Sequence, residues 1–270
     1  YKDPIGSVKK AMNIYARNGI TTAQDGASSP ETIGLMQAAD AQGMINLDII
    51  SYPIGQNGLD KNLNSIDFGN YEGRLKIGGI KLILDGSPQG KTAYLTEPYY
   101  KPPHNESDSY KGYPLIPQSE VSKWVKKYAD LNIPIMAHAN GDAAADMLIK
   151  AVKDADITAD HRTIMIHAQT VREDQLDKMN ELKIIPSYFS THTFYWGDWH
   201  RDSVFGQDRA MRISPTKSTL NRKMPFTVHN DAPVVPPDMI RLLWSTTNRK
   251  TRSEKVLGEE QKISTYEALK

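Results

Sequence analysis

The segment IPIMAHANGD (Ile133–Asp142) joins an apolar run to a group of polar residues. Continuous hydrophobic residues are typical of a strand that is buried on both faces, as strands of parallel sheets are. Polarity begins abruptly at His138. Histidine is the commonest metal ligand but also serves as a hydrogen-bonded core residue. This segment alone therefore predicts a buried strand and leaves two roles open for His138.

Six further apolar segments recur along the chain and alternate with helical patterns at 32–42, 142–152 and 172–182. They are NGITTAQDGA (18–27), INLDIISYP (45–53), IGGIKLILDG (77–86), RTIMIHAQ (162–169), KIIPSYFS (183–190) and MPFTVHNDAP (224–233). Alternation of strands and helices predicts right-handed βαβ units and a parallel sheet. No segment resembles a linker, so we predict a single domain over residues 1–270.

The predicted fold class is α/β, a TIM-like (β/α)8 barrel, for which about 250 residues are typical. Seven strands do not close such a barrel, and we expect the first strand to lie upstream of this sequence. At the other end, Ser264 and Glu267 have the spacing of a capping box at a helix start. The sequence therefore looks like an excerpt, incomplete at both ends. A doubly wound open sheet is the alternative architecture.

Composition excludes several classes of protein. The formal net charge of +1 provides no general attraction for nucleic acid or for an anionic membrane. The absence of cysteine excludes disulfides and thiolate metal ligands. No apolar run approaches the roughly 20 residues that span a bilayer. The sequence does not decide the cellular compartment, and we expect neither nucleic acid nor membrane as a partner.

Polar side chains occur where apolar strands end. His138, His167 and Asp231 each follow such a run, and Lys81 lies within another. In parallel barrels the functional residues gather at the C-terminal ends of the strands. Imidazole and carboxylate groups suit zinc, and also iron, manganese or nickel. These residues predict a metal site, although each has an alternative role as a core histidine, a helix N-cap or a paired lysine.

Two neighbours of these residues remain ambiguous. Asp85 shares a strand face with Lys81, because side chains alternate along a strand, and could pair with it. His229 lies two residues before Asp231 and faces the same way. It could be a site residue or a packed core histidine.

Two long connections are candidates for substrate contact. Residues 86–118 are longer than the roughly 15 residues above which a connection is usually functional or disordered, and we favour a substrate-facing role. The second connection, STHTFYWGDWHRD (190–202), is read as a loop whose aromatic residues form an apolar wall. The predicted substrate contacts are Gln89, His192, Trp196 and His200. For His192 and His200 the alternative is that they are surface histidines.

Several long strings resemble the amidohydrolase superfamily, within it the branch of N-substituted formamide deformylase. They are KLILDGSPQGKTAYLTEPYY, MAHANGDAAADML, IHAQTVREDQLDKMNELKIIPSYFSTHTFYWGDWHRD and TVHNDAPVVPPDMIRLLWSTTNRKTRS. The resemblance runs from about residue 19 to 270. It implies a metal-binding barrel with a His-x-His pair on its first strand and a terminal β-sandwich. No two histidines of this sequence are two residues apart, which agrees with an excerpt.

The resemblance assigns roles to four residues. Lys81 matches a lysine that many relatives carboxylate to bridge two metals. His138 and His167 match metal ligands of the next strands, and Asp231 matches a ligand that is also the general base. A divalent metal, expected to be zinc as one or two ions, lowers the pKa of water and polarises a carbonyl group. The carboxylate accepts the water's proton and can pass it to the departing amine.

The resemblance thus predicts a metal-dependent amidohydrolase that cleaves a C–N bond in a small amide or N-substituted formamide. One alternative keeps this site but acts on an ester, a lactone or a cyclic amide. A second alternative is a non-catalytic barrel fragment, for which activity restored by an upstream extension would decide. The protein could also form a homo-oligomer.

Overall fold

A computed structural model describes residues 3–55, 66–157 and 160–270 of the chain. Nine strands are defined within these residues. They are β1 (Thr22–Ser28), β2 (Asp48–Pro53), β3 (Tyr71–Glu72), β4 (Leu75–Ile77), β5 (Ile80–Ile83), β6 (Ile135–Ala139), β7 (Ile164–His167), β8 (Ile185–Tyr188) and β9 (Thr227–Val228).

Ten α-helices alternate with or follow these strands in the described ranges. They are α1 (Pro4–Arg17), α2 (Pro30–Ala41), α3 (Gln118–Asp130), α4 (Asp142–Asp154), α5 (Glu173–Glu181), α6 (His192–Trp199), α7 (Gly206–Met211), α8 (Thr216–Asn221), α9 (Met239–Asn248) and α10 (Thr265–Leu269). A π-helical turn covers His200–Val204 and a 3-10 turn covers Glu259–Gln261. None of these helices combines the length and apolar character that crossing a bilayer requires.

The strands form two sheets, ordered β1-β2-β4-β3 and β5-β6-β7-β8-β9. Pairs β1/β2, β2/β4, β7/β8 and β8/β9 are parallel, whereas the short strand β3 is antiparallel to β4. Each predicted apolar segment contains a strand, so the α/β class with parallel strands is confirmed. Closure into an eight-stranded barrel stays a prediction, and the two-residue strand β3 was not predicted.

The chain divides into two compact units. The first comprises residues 1–82 and 130–136. Its core brings together side chains of α1, α2, β1, β2 and β4, because the apolar positions of each element face inward. The buried members are Met12, Ala23, Met36, Ala39, Ile45, Leu47, Ile49 and Leu75.

The second unit comprises residues 83–129 and 137–270 and contains the strand-end histidines. One of its apolar clusters joins the segment after β5 to the π-helical turn and to α7. It consists of Leu95, Tyr99, Val204, Phe205, Ala210, Ile213 and Leu257. The prediction of a single domain over residues 1–270 remains untested.

The capping box at the start of α10 is confirmed. The Ser264 backbone N–H donates to the Glu267 carboxylate at 2.9 Å, and the Glu267 N–H donates to the Ser264 hydroxyl at 3.2 Å. These two bonds satisfy N–H groups that a helix start leaves unpaired.

The prediction of a loop over residues 190–202 is wrong. This segment forms α6, which continues into the π-helical turn at His200–Val204. Residues four apart lie on one helix face, and His192, Trp196 and His200 have that spacing. Burial of His192 and His200 on this face, at 2% and 0% exposure, explains why an aromatic, polar segment becomes helical.

The long connection 86–118 is anchored to the rest of the second unit. The Lys91 ammonium donates to the Lys101 carbonyl at 2.7 Å and to the Ser203 hydroxyl at 2.9 Å. The Trp199 indole N–H donates to the Gln89 carbonyl at 3.1 Å. These contacts fix parts of the connection, and its role as a substrate-facing segment stays a prediction.

Candidate functional site

Three histidines lie in a row in the second unit. His138 is the second-last residue of β6, His167 ends β7, and His229 directly follows β9. The Nδ1 atom of His138 lies 3.0 Å from Nε2 of His167, and Nδ1 of His167 lies 3.3 Å from Nε2 of His229. His167 therefore presents one ring nitrogen to each neighbour.

Donor atoms of His167, His229 and Asp231 all lie within 4.8 Å of one another. Two nitrogens that bind one tetrahedral zinc at about 2.0–2.1 Å are about 3.3 Å apart. The nitrogen separations along the histidine row are close to this value. The residues present thus fit a divalent cation, with His167 central and Asp231 exposed to solvent.

The histidine row contains two of the four predicted metal ligands, His138 and His167, and the third, Asp231, lies beside it. All three belong to the second unit, and their role as ligands stays a prediction. His229 joins them, so its reading as an unrelated core histidine is not supported by its position. Lys81, buried on β5, belongs to the first unit, where its carbonyl accepts the Gly55 N–H at 2.9 Å. Its role as a ligand stays a prediction.

The backbone is strained where two of these ligands are carried. His167 has φ 74° and Asp231 has φ 56°, both in the left-handed region. Such residues cost on the order of 1–3 kcal/mol each and cluster at functional sites. Histidine and aspartate are among the side chains that tolerate this region best. The strain turns both side chains at the point where the strand pattern stops.

Asp85 connects the end of β5 to the end of β6. Its carboxylate accepts the backbone N–H groups of Asn140, Gly141 and Tyr94 at 3.0, 2.8 and 2.9 Å. Burial raises the pKa of Asp85 to about 7, and these three N–H donors oppose that rise. The carboxylate also lies 3.4 Å from Nε2 of His138. Asp85 thus fixes the backbone that carries His138.

We predict that Asp85→Asn lowers the free energy of unfolding by about 2 kcal/mol, because the amide NH2 group must face a backbone N–H that then has no acceptor. Urea unfolding at pH 7 measures this loss. The exposed Asp108→Asn variant is the matched control, with an expected change near zero. Equal stability of both variants would contradict the role of Asp85 in holding these three backbone N–H groups.

Phe189 links the histidine row to α6. Its ring centroid lies 5.6 Å from that of His229 and 4.2 Å from that of His192. Trp196 lies 6.1 Å from Phe189 and 5.3 Å from His192, measured between ring centroids. The rings of His192 and Trp196 thus lie close to Phe189 beside the row, on a helix rather than a loop, and their role as a pocket wall stays a prediction.

The other predicted substrate contacts lie deeper. His200 is fully buried, 3.2 Å from the Gln169 side-chain nitrogen, and its ring stacks on Phe205. The Gln89 side-chain oxygen is buried without a hydrogen-bond partner. Contact with substrate stays a prediction for Gln89, His192, Trp196 and His200.

Burial favours the neutral form of both His192 and His200. Desolvation lowers the pKa of His200 to about 3. The pKa of His192 also falls well below its ordinary value, first through burial and then through neighbouring histidines. Because the unfolded chain binds a proton near pH 6.5 and the folded chain does not, these groups stabilise the fold at neutral pH. That contribution is lost as the pH falls from 6.5 towards 3.

We predict that the stability advantage of the wild type over His200→Gln shrinks on acidification. Between pH 6 and 4 the difference in unfolding free energy should fall by about 1.4 kcal/mol per pH unit, since one proton is taken up on unfolding. Urea unfolding of both proteins at pH 7, 6 and 5 measures it. A difference independent of pH would contradict the neutral, buried state of His200.

Some site residues gave little signal in the sequence. His229 follows a strand of only two residues, so no long apolar run marks it. Asp85 acts through backbone donors up to 56 residues away, which no local pattern reports. Phe189 is indistinguishable from a core phenylalanine in sequence.

Histidines and an aspartate that converge at or after parallel strands of an α/β fold form a group that can hold a divalent metal ion. The sequence model of a protein family described as "Amidohydrolase family" matches residues 4–270 of this chain. The chain belongs to the amidohydrolase family, which confirms the resemblance found in the sequence.

Individual relatives agree with this assignment. Over 271 residues, 96% of this chain and 48% of the relative, the sequence is 21% identical to N-substituted formamide deformylase of Arthrobacter pascens. It is 24% identical over 202 residues to the YtcJ protein of Bacillus subtilis (strain 168), covering 73% of this chain and 36% of that protein. The chain thus spans half or less of the length of these curated relatives.

Solved structures support the fold. An uncharacterized metal-dependent hydrolase from Pyrococcus horikoshii OT3 superposes with a TM-score of 0.82 at 24% identity, covering 99% of this chain and 53% of that one. Its counterpart from Pyrococcus furiosus gives a TM-score of 0.79 at 24% identity, covering 97% and 52%. At this identity the structures support the fold alone.

Proposed function

We propose that the protein hydrolyses the C–N bond of a small amide or N-substituted formamide, with Asp231 as general base. The observation that carries the proposal is the convergence of donor atoms from His167, His229 and Asp231 within 4.8 Å. The 21% identity to N-substituted formamide deformylase favours a formamide as substrate. Because this chain spans half or less of its curated relatives, the activity of the whole protein is itself part of the proposal.

The proposed cation is zinc, held by His138, His167 and Asp231 of the second unit. His229 is a candidate to replace His138, because the two lie at opposite ring nitrogens of His167, at 3.3 Å and 3.0 Å. Such an ion supplies Lewis acidity toward water and toward a carbonyl group.

The residues themselves account for proton transfer. Asp231 is exposed, so water and substrate can reach its carboxylate. The carboxylate accepts a proton from the attacking water, whose oxygen forms a bond to the carbonyl carbon. The C–N bond then breaks, and Asp231 returns the proton to the departing nitrogen. Phe189, His192 and Trp196 provide an apolar and uncharged wall for the substrate's substituent.

A substrate panel tests this proposal. N-formyl and N-acetyl amines are compared with esters and lactones of matched size, using metal-loaded protein whose metal content is measured in the same sample. The expected result is hydrolysis of the amides, with formamides fastest. Hydrolysis of esters or lactones alone would show that the substrate is an ester or lactone and not an amide. Inactivity of fully metal-loaded protein toward the whole panel would refute the proposed hydrolase function.

A further inference from the structure

A cavity lies outside the histidine row. Its volume is about 200 Å³, and it lies between the ends of the β6 and β7 connections and helix α7. Since a water occupies about 30 Å³, it has room for about six waters or one small molecule. Its walls include Leu95, Val171 and Phe205, each nearly fully buried. One side of the cavity is therefore apolar.

Three arginines line the same cavity: Arg172, Arg209 and Arg212. The donors of Arg172 are directed to the carboxylates of Asp142, Asp146 and Asp174, so its charge is already neutralised.

Arg209 and Arg212 differ from Arg172. Arg209 donates to three backbone carbonyl oxygens, at 3.0, 3.4 and 2.6 Å, and these acceptors carry no formal charge. Arg212 pairs with Glu173 through Nη1 at 2.7 Å. Its Nη2 atom is buried and has no hydrogen-bond partner. A buried guanidinium donor without an acceptor is costly, so this side of the cavity favours an anion.

We propose that this cavity binds a small organic carboxylate with a short apolar tail. The carboxylate accepts hydrogen bonds from Arg209 and Arg212, and the tail packs on Leu95, Val171 and Phe205. Exposed Glu97 at the wall lies in solvent, where screening weakens its repulsion. The proposal does not depend on the hydrolytic reaction proposed above.

The cavity also borders the segments that leave two strand-end histidines. Asp142 follows His138 by four residues, and Val171 follows His167 by four. The Thr170 N–H donates to the Asn140 carbonyl at 3.1 Å, which joins the two segments. A bound carboxylate would therefore contact the backbone that carries the histidine row.

Calorimetric titration of chelator-treated protein tests the proposal, because carboxylate binding to a metal ion then does not contribute. The probes are butyrate, its neutral isostere butyramide, and inorganic phosphate. Butyrate should bind saturably at one site per chain, and Arg212→Gln should weaken it at least tenfold, since a charge-assisted pair is lost.

Arg222→Gln is the matched control. Arg222 pairs with the other oxygen of the same Glu173 carboxylate at 2.6 Å but does not line the cavity. This variant should bind butyrate as the wild type does. Absent butyrate binding, equal binding of butyramide, or an equal loss in Arg222→Gln would overturn the proposal. Tighter, Arg212-dependent binding of phosphate would overturn the carboxylate as ligand.

Discussion

Asp231→Asn should reduce the hydrolysis rate by about 10³-fold, the scale on which a positioned general base contributes. Asparagine is nearly isosteric with aspartate and tolerates the left-handed backbone that Asp231 adopts at φ 56°. The substitution therefore removes the proton acceptor with little backbone penalty. Rate constants for the best amide substrate of the panel, measured at pH 7, give the ratio directly.

Two further measurements show whether a loss of activity in Asp231→Asn comes from lost chemistry. Its urea unfolding should match the wild type, which separates lost chemistry from lost folding. The exposed Asp208→Asn variant should retain full activity. Full turnover by Asp231→Asn would remove Asp231 from the role of general base.

His167→Asn should abolish stoichiometric metal binding, from about one or two ions per chain to less than about a tenth of an ion, since an imidazole ligand is removed. His167 is central to both candidate ligand sets, because its two ring nitrogens lie 3.0 Å from His138 and 3.3 Å from His229. Asparagine again tolerates the left-handed backbone at this position. Elemental analysis of protein purified without chelator measures the metal.

His161→Asn is the control, since both ring nitrogens of His161 are bonded elsewhere, to Thr163 and to the Leu182 carbonyl. It should retain its metal. His138→Asn and His229→Asn then separate the two ligand sets by which variant loses the ion. An unchanged metal content in His167→Asn would show that the metal does not bind at His167.

The sequence predicted those features that depend on local pattern. The apolar runs before His138 and His167 are long enough to mark β6 and β7, and the strand-end rule then places both histidines together. His229 faces the same way as Asp231, so its sequence position fits a site residue and a core histidine equally. Residues 190–202 follow an apolar run and are predicted as a loop, whereas the structure buries His192 and His200 on one face of a helix.

Other features depend on contacts between distant residues. Asp85 could be placed on a strand face, but its three backbone donors come from segments that only the fold brings together. The arginine-lined cavity is equally hidden, since its walls come from four separate stretches of chain, at 95–97, 142, 170–172 and 205–212. Such sites can be found only once the tertiary structure is known.

The left-handed backbone at His167 and Asp231 limits how this centre can be re-engineered. A glutamate or cysteine introduced at either position to change metal preference would lose the tolerance of positive φ that histidine and aspartate have, so it would destabilise the backbone as well as alter coordination. His138 and His229 do not have positive φ values. Ligand exchange aimed at a softer or harder metal should therefore start at those two positions.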